Sequence, residues 1–349
     1  MTNTSQAILF TQPGEIQLGT VDLPPCGPGD VIVESIYTTV SPGTELRVLA
    51  GTKEAARHFP LIPGYCVIGK VVEMGSDVRG WRVGDLTTGK GGGKLPGYEA
   101  FWGGQVSHHR CQPDQLIKLP SGADPWDYVL AELGAIAWRG ATICMPAPDE
   151  TAVVIGQGMI GALAARWLLM LGVRVIVTDL EPARLDRALR WGAFAAVDGR
   201  DADAKEQIQA LCAGGADIVV EASASIPGAT MARQLLRPQI IHPWVDNYRP
   251  DQIRGAASIF PRLLYMATYT KTIEIIPSGA EGVEGALVLT PIDRTLQDRQ
   301  AAVQHIARGK LHTADFVEAP TPVSQAPGAY RRLRDHPEDQ MTVVFSWGP

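Results

Sequence analysis

Three glycines have the spacing of a dinucleotide-binding turn, in the segment Gly156-Gln-Gly158-Met-Ile-Gly161. An apolar run leads into the first glycine and an apolar helical pattern follows the last. In such a turn the first glycine permits a tight bend, the second lets the backbone approach a pyrophosphate, and the third lets helix and strand pack closely. The helix N-terminus then offers free N–H groups to the phosphates. The predicted cofactor-binding residues are Gly156, Gly158, Met159, Ile160 and Gly161.

A carboxylate follows at the end of the next predicted strand, 173–178. Asp179 comes eighteen residues after Gly161, where a carboxylate binds both ribose hydroxyls of NAD and repels the 2′-phosphate of NADP. NAD is therefore the predicted cofactor. Arg184 is five residues further on and offers a charge that suits a phosphate, so NADP remains the alternative. The non-functional alternative for Asp179 is a helix cap.

These residues need a scaffold, and the hydrophobic pattern indicates an α/β protein. Strand and helix patterns alternate from 152 to 236, which is typical of a doubly wound parallel sheet. The first third has short strand-like runs between Pro/Gly turns, and a strand-like run at 341–345 would pair with it. We predict a β-rich domain from residues 1–123 and 279–349, and a Rossmann domain from residues 124–278.

Composition excludes several classes of protein. The net charge is −6 and no basic stripe is present, so we predict no nucleic-acid partner. The N-terminal segment has neither a basic nor an apolar region of a signal peptide, and the longest apolar stretch, 160–177, is broken by arginines. The five cysteines are far apart, which indicates neither a disulfide framework nor a zinc knuckle. We expect a cytoplasmic protein without a membrane partner.

Taken together, the segments of this chain resemble the medium-chain dehydrogenase/reductase superfamily over nearly the whole length. The motifs that carry the resemblance are the glycine turn 156–161, Pro-Gly-Asp-Val-Ile-Val at 28–33, Pro-Leu-Ile-Pro-Gly at 60–64, Gly-Lys-Val-Val-Glu-Met-Gly at 69–75 and Val-Gly-Asp at 83–85. The resemblance implies a GroES-like catalytic domain beside the Rossmann domain, an alcohol or ketone as small-molecule substrate, and a homodimer.

The departures from the superfamily lie at its zinc ligands. Zinc members carry Cys-Gly-Thr/Ser-Asp, then Gly-His-Glu, then a further Cys or Glu. Here the first segment is Ser41-Pro-Gly-Thr-Glu45, so the cysteine position is Ser41 or Pro42, depending on a one-residue gap. The second segment places Tyr65 in the histidine position and Cys66 in the glutamate position, and the third has Glu132. This set does not make a zinc site, which needs three donors with a thiolate or imidazole among them. We predict an enzyme without zinc. The first segment is similar to the bacteriochlorophyllide a dehydrogenase-like group.

Without a metal, hydrogen-bonding groups must hold and deprotonate the substrate oxygen. The resemblance implies that Thr44, Glu45, Tyr65 and Glu132 form the catalytic site. Tyr65 would bind the substrate oxygen, Thr44 matches a proton-relay hydroxyl, and Glu132 or Glu45 would be the terminal base. Glu132 lies in a small, apolar segment, where an unpaired carboxylate would be costly. The other three residues each have a structural alternative. Tyr65 would fill the volume of the lost metal, Thr44 or Ser41 would cap a helix beginning near residue 46, and Glu45 would be a helix-start carboxylate.

Several other residues are weaker candidates. His108 and His109 follow a strand-like run and are predicted to be surface residues. Trp102, near the glycine loop at 87–97, is either a substrate wall or a loop anchor. That loop lacks the spacing of a P-loop and is predicted to be mobile. Trp244, Asn247 and Tyr248 allow a polar, sugar-like ligand as well as a large ring system.

Three functions fit these observations. The first is a zinc-independent, NAD-dependent oxidoreductase that interconverts a secondary alcohol and a ketone. The second is an NADPH-dependent quinone or enoyl reductase, against which Asp179 argues. The third is a non-catalytic dinucleotide-binding protein, which the loss of the metal ligands permits.

Overall fold

The computed structural model describes residues 3–53, 58–237, 260–267, 286–291 and 293–348. These residues form two compact units. The β unit comprises the described parts of Met1–Leu133 and Arg299–Pro349, and the α/β unit those of Gly134–Asp298. No helix in the described ranges is long and apolar enough to cross a membrane.

The chain runs through the β unit first, then through the α/β unit, and returns to the β unit. The strands are β1 (Thr4–Gln12), β2 (Glu15–Asp22), β3 (Val31–Thr39), β4 (Leu61–Ile62), β5 (Val67–Met74), β6 (Leu86–Gly89), β7 (Glu99–Ala100), β8 (His108–Cys111), β9 (Leu116–Lys118), β10 (Thr151–Ile155), β11 (Arg174–Asp179), β12 (Ala195–Asp198), β13 (Ile218–Glu221), β14 (Arg262–Tyr265), β15 (Leu287–Leu289), β16 (Thr321–Pro322) and β17 (Val344–Ser346). The helices are α1 (Pro42–Leu49), α2 (Ala131–Ile143), α3 (Met159–Met170), α4 (Pro182–Arg190), α5 (Ala204–Leu211), α6 (Ile226–Gln234), α7 (Leu296–Ala307) and α8 (Ala326–Asp335).

The described part of the β unit is built on two sheets. One has the order β2-β1-β4-β7, and the other has the order β16-β17-β3-β5-β6-β9 with β8 paired to β3. Helices α1 and α8 pack together, and the core beside them contains Phe10, Tyr330 and Phe345. The centroid of the Tyr330 ring lies 5.4 Å from that of Phe10 and 5.7 Å from that of Phe345. Burial of an aromatic or aliphatic side chain of this kind contributes roughly 1.5–3 kcal/mol. The C-terminal strand β17 pairs antiparallel with β3, which confirms the predicted return to the N-terminal strands.

The described part of the α/β unit contains a six-stranded parallel sheet of order β12-β11-β10-β13-β14-β15. The central strands β10 and β13 are mostly apolar, as expected where helices cover both faces of such a sheet. The strand order reverses between β10 and β13, so the carboxyl ends of these strands form the crevice where ligands bind in doubly wound folds. The predicted α/β class and Rossmann architecture are confirmed.

The unit boundaries differ from the predicted domain boundaries. Residues 124–133 belong to the β unit, because the short 3-10 helix Pro125–Tyr128 packs against β3 and β5. Residues 286–291 and 293–298 belong to the α/β unit, because β15 pairs with β14. The predicted boundary at 278/279 itself lies outside the described residues.

A buried ion pair connects β14 to the residue before β10, at the amino-terminal ends of these strands. Arg262 is fully buried, and its Nη2 lies 2.6 Å from Oε2 of Glu150. We expect Arg262→Met to lower the free energy of unfolding by roughly 3–5 kcal/mol, because the Glu150 carboxylate would stay buried without its cation. Urea denaturation followed by circular dichroism measures this change.

The matched control for this prediction is Arg200→Met, which breaks the exposed pair with Asp198. Exposed pairs contribute little to stability. An equal loss of unfolding free energy in the two variants would contradict the stabilising role of the Arg262–Glu150 pair.

Candidate functional site

The glycine turn of the α/β unit connects β10 to α3 and has the geometry that a bound pyrophosphate requires. Gly156 has a φ of 87°, and Gly158 is the N-cap residue of α3. A Cβ added at Gly161 would lie 1.9 Å from the carbonyl oxygen of Gly156, so any larger residue would force strand and helix apart. A Cβ added at Gly158 would meet open space, on the side from which a ligand approaches. Met159 and Ile160 form the first turn of α3.

Asp179 is the last residue of β11 and lies against this turn. One carboxylate oxygen accepts a hydrogen bond from the backbone N–H of Gln157, within the glycine motif. The other accepts from the N–H of Glu181 at 2.9 Å. Arg184, the alternative phosphate ligand, has Nη1 3.6 Å from the carboxylate of Asp179. The arginine is therefore paired with the acid at the ribose position.

The segment after β13 also contacts the glycine turn, which the sequence analysis did not anticipate. A Cβ at Gly156 would lie 2.8 Å from the backbone of Ser223. Ser223 donates hydrogen bonds from its N–H and its hydroxyl to the buried carboxylate of Glu221. A charged residue at the carboxyl end of an apolar strand was the available signal, because parallel strands end at the ligand edge of the sheet.

In the β unit, Tyr65 precedes β5 and is 5% exposed. Its hydroxyl donates a hydrogen bond to Oγ of Ser41 at 2.7 Å. Its ring packs edge-on against Trp102, with 4.7 Å between the ring centroids. The structure thus places a tyrosine hydroxyl and a serine hydroxyl in one hydrogen-bonded pair.

Glu45 lies beneath this pair and is completely buried. Its carboxylate accepts hydrogen bonds from the N–H of Ser41 at 2.8 Å, the amide of Gln105 at 3.2 Å and the hydroxyl of Tyr330 at 2.6 Å. Burial raises the pKa of Glu45 to about 7, against the lowering effect of Tyr330, Ser41 and Gln105. Gln105 and Tyr330 are the partners that sequence reasoning missed, because they are distant along the chain.

Thr44 lies inside α1, which begins at Pro42. The predicted helix start near residue 46 was wrong, because Pro42 has a fixed φ that suits the first turn of a helix. Ser41 occupies the N-cap position without a side-chain cap bond, since its hydroxyl is bonded to Tyr65. Thr44 is half-buried, and its N–H donates to the carbonyl of Ser41 at 3.0 Å.

Glu132, in the first turn of α2, is held in a buried ion pair. The Nε and Nη2 groups of Arg299 donate to its carboxylate at 2.9 and 2.8 Å, and the hydroxyl of Thr88 donates at 3.2 Å. A carboxylate that is 1% exposed needs such partners, because an unpaired buried charge is costly. The sequence singled out Glu132 on this ground and did not identify Arg299, which is 167 residues away.

The two histidines differ from their prediction as surface residues. His109 is 1% exposed because β8 pairs with β3 and places it opposite Val33, facing inward. Burial lowers the pKa of His109 to about 4, so the imidazole is neutral at physiological pH. His108 is half-buried, and its Nδ1 lies 3.1 Å from the hydroxyl of Ser107. Trp244, Asn247 and Tyr248 lie outside the described residues.

Comparison with known proteins follows the same division of the chain. Residues 27–121 match the alcohol dehydrogenase GroES-like domain, and residues 159–239 match the zinc-binding dehydrogenase family. The chain belongs to the medium-chain dehydrogenase/reductase superfamily of oxidoreductases.

Individual relatives are distant. A sorbitol dehydrogenase from Halalkalibacterium halodurans is 28% identical over 273 residues, which cover 71% of this chain and 79% of the relative. The 2-desacetyl-2-hydroxyethyl bacteriochlorophyllide A dehydrogenase of Rhodobacter capsulatus is 29% identical over 194 residues, covering 54% and 60%. The crystal structure of 2R,3R-butanediol dehydrogenase from Bacillus subtilis superposes with a TM-score of 0.81 at 18% identity, covering 99% of this chain and 100% of that one.

The residues at the ligand positions of this superfamily member do not fit a zinc ion. The hydroxyl of Tyr65 is bonded to Ser41, and the carboxylate of Glu132 is paired with Arg299. A zinc site also needs imidazole or thiolate donors that converge. Cys66 is the thiol at these positions, but among the described residues no group of three or more His, Cys, Asp and Glu side chains is placed to hold a metal.

The buried Glu45 makes stability depend on pH. Its pKa rises from 4.5 in the unfolded chain to about 7, so the folded state binds the proton more tightly. The resulting stabilisation is complete below about pH 4.5 and is lost as the pH rises through 7, an effect of roughly 3 kcal/mol. We expect Glu45→Gln to flatten this dependence in urea unfolding measured from pH 5 to 8.

Glu318→Gln, at an exposed position, is the matched control and should keep the slope of the parent protein. The raised pKa would be contradicted if the free energy of unfolding of the parent protein rose between pH 5 and 7 and this rise were absent in Glu45→Gln.

Proposed function

We propose that this protein is a zinc-independent, NAD-dependent oxidoreductase that interconverts a secondary alcohol and a ketone. The observation that carries the proposal is the Tyr65–Ser41 hydroxyl pair. The resemblance aligns Tyr65 with a histidine ligand of the zinc members, and Ser41 or Pro42 with a cysteine ligand. The relatives named sorbitol and bacteriochlorophyllide dehydrogenase support alcohol or ketone chemistry. The substrate is a small molecule, and a homodimer stays a prediction from the resemblance.

Bound nicotinamide would supply the hydride acceptor or donor, and side chains of this protein would donate or accept the proton. In ketone reduction, Tyr65 donates its hydroxyl proton to the substrate oxygen as hydride reaches the carbon. Tyr65 then recovers a proton from water by relay through Ser41, whose hydroxyl passes its proton to Tyr65 across the 2.7 Å hydrogen bond and takes one from water in return. Alcohol oxidation runs the same transfers in reverse.

Glu45 and Glu132 support the site rather than transfer protons in this proposal. Glu45 accepts the N–H of Ser41 and so fixes the residue that bonds Tyr65. Glu132 is engaged by Arg299, whose Nε and Nη2 groups both donate hydrogen bonds to its carboxylate. Thr44, half-buried in α1, remains a candidate for contact with the substrate hydroxyl.

The paired state of Asp179 supports NAD over NADP. Its carboxylate is fixed by the N–H groups of Gln157 and Glu181, at the position where ribose hydroxyls bind. A 2′-phosphate would meet this negative charge, and Arg184 is already paired with it.

Absorbance of reduced nicotinamide tests the proposal directly. Protein treated with a chelator and shown by mass spectrometry to hold no zinc is offered NADH or NADPH with ketones, enones and quinones, and NAD with secondary alcohols. Turnover of ketones or alcohols with the non-phosphorylated cofactor is the expected result. Turnover restricted to enones or quinones with NADPH would overturn it, and so would activity that requires added zinc. Cofactor binding without turnover of any compound would indicate a non-catalytic protein.

We expect Tyr65→Phe to lower kcat by about 100-fold, because positioned proton transfer contributes roughly 10²–10⁴-fold to rate. The variant keeps the ring that packs against Trp102, so NADH affinity should not change. Stopped-flow reduction and NADH fluorescence titration measure the two quantities. Tyr98→Phe, in the loop before β7, is the matched control, and wild-type turnover by Tyr65→Phe would remove Tyr65 from the mechanism.

We expect Asp179→Asn to raise the ratio of NADPH to NADH in kcat/KM by at least about tenfold. The amide keeps the shape of the side chain, removes the repulsive charge and releases Arg184 to bind the 2′-phosphate. Asp186→Asn, at an exposed position of α4, should leave the ratio unchanged. An unaltered ratio in Asp179→Asn would assign cofactor choice to other residues.

A further inference from the structure

A cavity of about 370 Å³ lies in the β unit. Its described walls are residues 90–93, Trp102, Gln115 and Arg299. The volume is within the range of sites that bind small molecules. The walls combine an aromatic ring with side chains that donate hydrogen bonds, so the free groups on each wall indicate which ligand the cavity can hold.

Arg299 brings an unused hydrogen-bond donor to this cavity. Its side chain is 6% exposed, and its Nε and Nη2 groups donate to the carboxylate of Glu132. The remaining nitrogen, Nη1, has no hydrogen-bond partner among the described residues and is not enclosed by protein atoms. The guanidinium is thus held on one side and open on the other, and Nη1 can donate to a ligand in the cavity.

Gln115 offers a second donor to the same cavity. Its Oε1 accepts a hydrogen bond from the backbone N–H of Gln112 at 3.2 Å. The amide nitrogen Nε2 is therefore the group that is left for a ligand. Because Arg299 and Gln115 both offer donors, the ligand group that meets them must be a hydrogen-bond acceptor.

The charge balance around Arg299 favours an uncharged acceptor. The carboxylate of Glu132 accepts hydrogen bonds from Nε at 2.9 Å and from Nη2 at 2.8 Å, so it already compensates the charge of the guanidinium. An anion on Nη1 would share the guanidinium with this carboxylate and would be repelled by it. A carbonyl oxygen accepts hydrogen bonds without adding a charge.

Trp102 gives the cavity an aromatic wall. It is 40% exposed, and its φ of 69° is in the left-handed region, where strained residues recur at ligand sites. Its carbonyl oxygen accepts the N–H of Gly93 at 3.1 Å, and a Cβ at Gly103 would lie 2.2 Å from the carbonyl oxygen of Gly93. These contacts fix Trp102 beside the glycine backbone. An exposed aromatic ring favours a planar ligand, which buries apolar surface against it.

We propose that this cavity binds an uncharged, planar carbonyl compound of the aryl ketone class. The carbonyl oxygen accepts hydrogen bonds from Nη1 of Arg299 and Nε2 of Gln115, and the ring of the ligand packs against Trp102. The two donors belong to α7 and to the 3-10 helix Pro113–Gln115, so the site exists only in the folded β unit. Binding at this site does not depend on the proton transfer proposed for Tyr65.

Three ligands of similar shape test the site in the full chain without nicotinamide. Acetophenone carries the carbonyl group, α-methylstyrene has a methylene group in place of the oxygen, and benzoate carries a negative charge. The protein is labelled with fluorotryptophan, and the fluorine resonance that is absent from Trp102→Phe reports occupancy of the cavity. We expect acetophenone to bind about tenfold more tightly than either other ligand, because one lacks the hydrogen bond to a charged donor and the other is repelled by Glu132.

Two variants remove the donors in different ways. Arg299→Lys keeps a cation beside Glu132 but loses Nη1, and acetophenone should then bind no better than α-methylstyrene. Arg262→Lys changes a second buried and paired arginine, in the α/β unit, and is the matched control that should keep the preference. Gln115→Glu, at an exposed position, keeps the oxygen that accepts the backbone N–H but replaces the donor, so acetophenone should bind about tenfold more weakly.

Equal or undetectable binding of acetophenone and α-methylstyrene would overturn the proposal, and so would tighter binding of benzoate. A preference for acetophenone that survives in Arg299→Lys and in Gln115→Glu would reject the two donors. A resonance of Trp102 that does not move at saturating acetophenone would place the ligand elsewhere and reject this cavity. If circular dichroism shows that Arg299→Lys does not fold, the affinity of Gln115→Glu for acetophenone decides the outcome.

Discussion

Burial of the Glu45 carboxylate is the constraint on which the arrangement of the β unit depends. A fully buried acid is costly unless donors surround it, and here three donors come from separate parts of the chain. Ser41 belongs to the start of α1, Gln105 to the segment before β8, and Tyr330 to α8 near the C-terminus. Satisfying one side chain therefore fixes the relative positions of three segments.

The position of the proposed catalytic hydroxyl follows from that constraint. Ser41 is held by its N–H on Glu45, and its hydroxyl is consequently directed to Tyr65. Gln105 extends the same network, because its amide oxygen accepts from Thr38, which in turn accepts from the indole of Trp347. Loss of metal ligands in this chain is thus accompanied by a continuous set of hydrogen bonds rather than by an apolar filling.

Buried ion pairs have the corresponding role elsewhere. Glu132 and Arg299 join the start of α2 to α7, and Glu150 and Arg262 join the segment before β10 to β14. Each pair connects residues more than a hundred positions apart, so each becomes favourable only after the surrounding segments have packed.

Local features were predictable to the extent that their cause is local. The glycine turn and the apolar helix that follows it were identified because backbone freedom and hydrophobic period depend on neighbouring residues. The start of α1 was predicted near residue 46 but lies at Pro42, whose fixed φ suits the first turn of a helix. His109 was placed on the surface because its inward direction depends on pairing with β3, which the pattern of β8 alone does not reveal.

The sequence by itself determined the superfamily, the parallel sheet with its glycine turn, and the presence of Tyr65 where the resemblance places a histidine ligand. These properties depend on residue type and on spacing within a few turns of chain. The tertiary structure alone decided which groups the carboxylates meet. Gln105 and Tyr330 are 60 and 285 residues from Glu45, and Arg299 is 167 residues from Glu132. These partners are needed because buried carboxylates must be hydrogen-bonded, and the carboxylates become buried only when the chain folds.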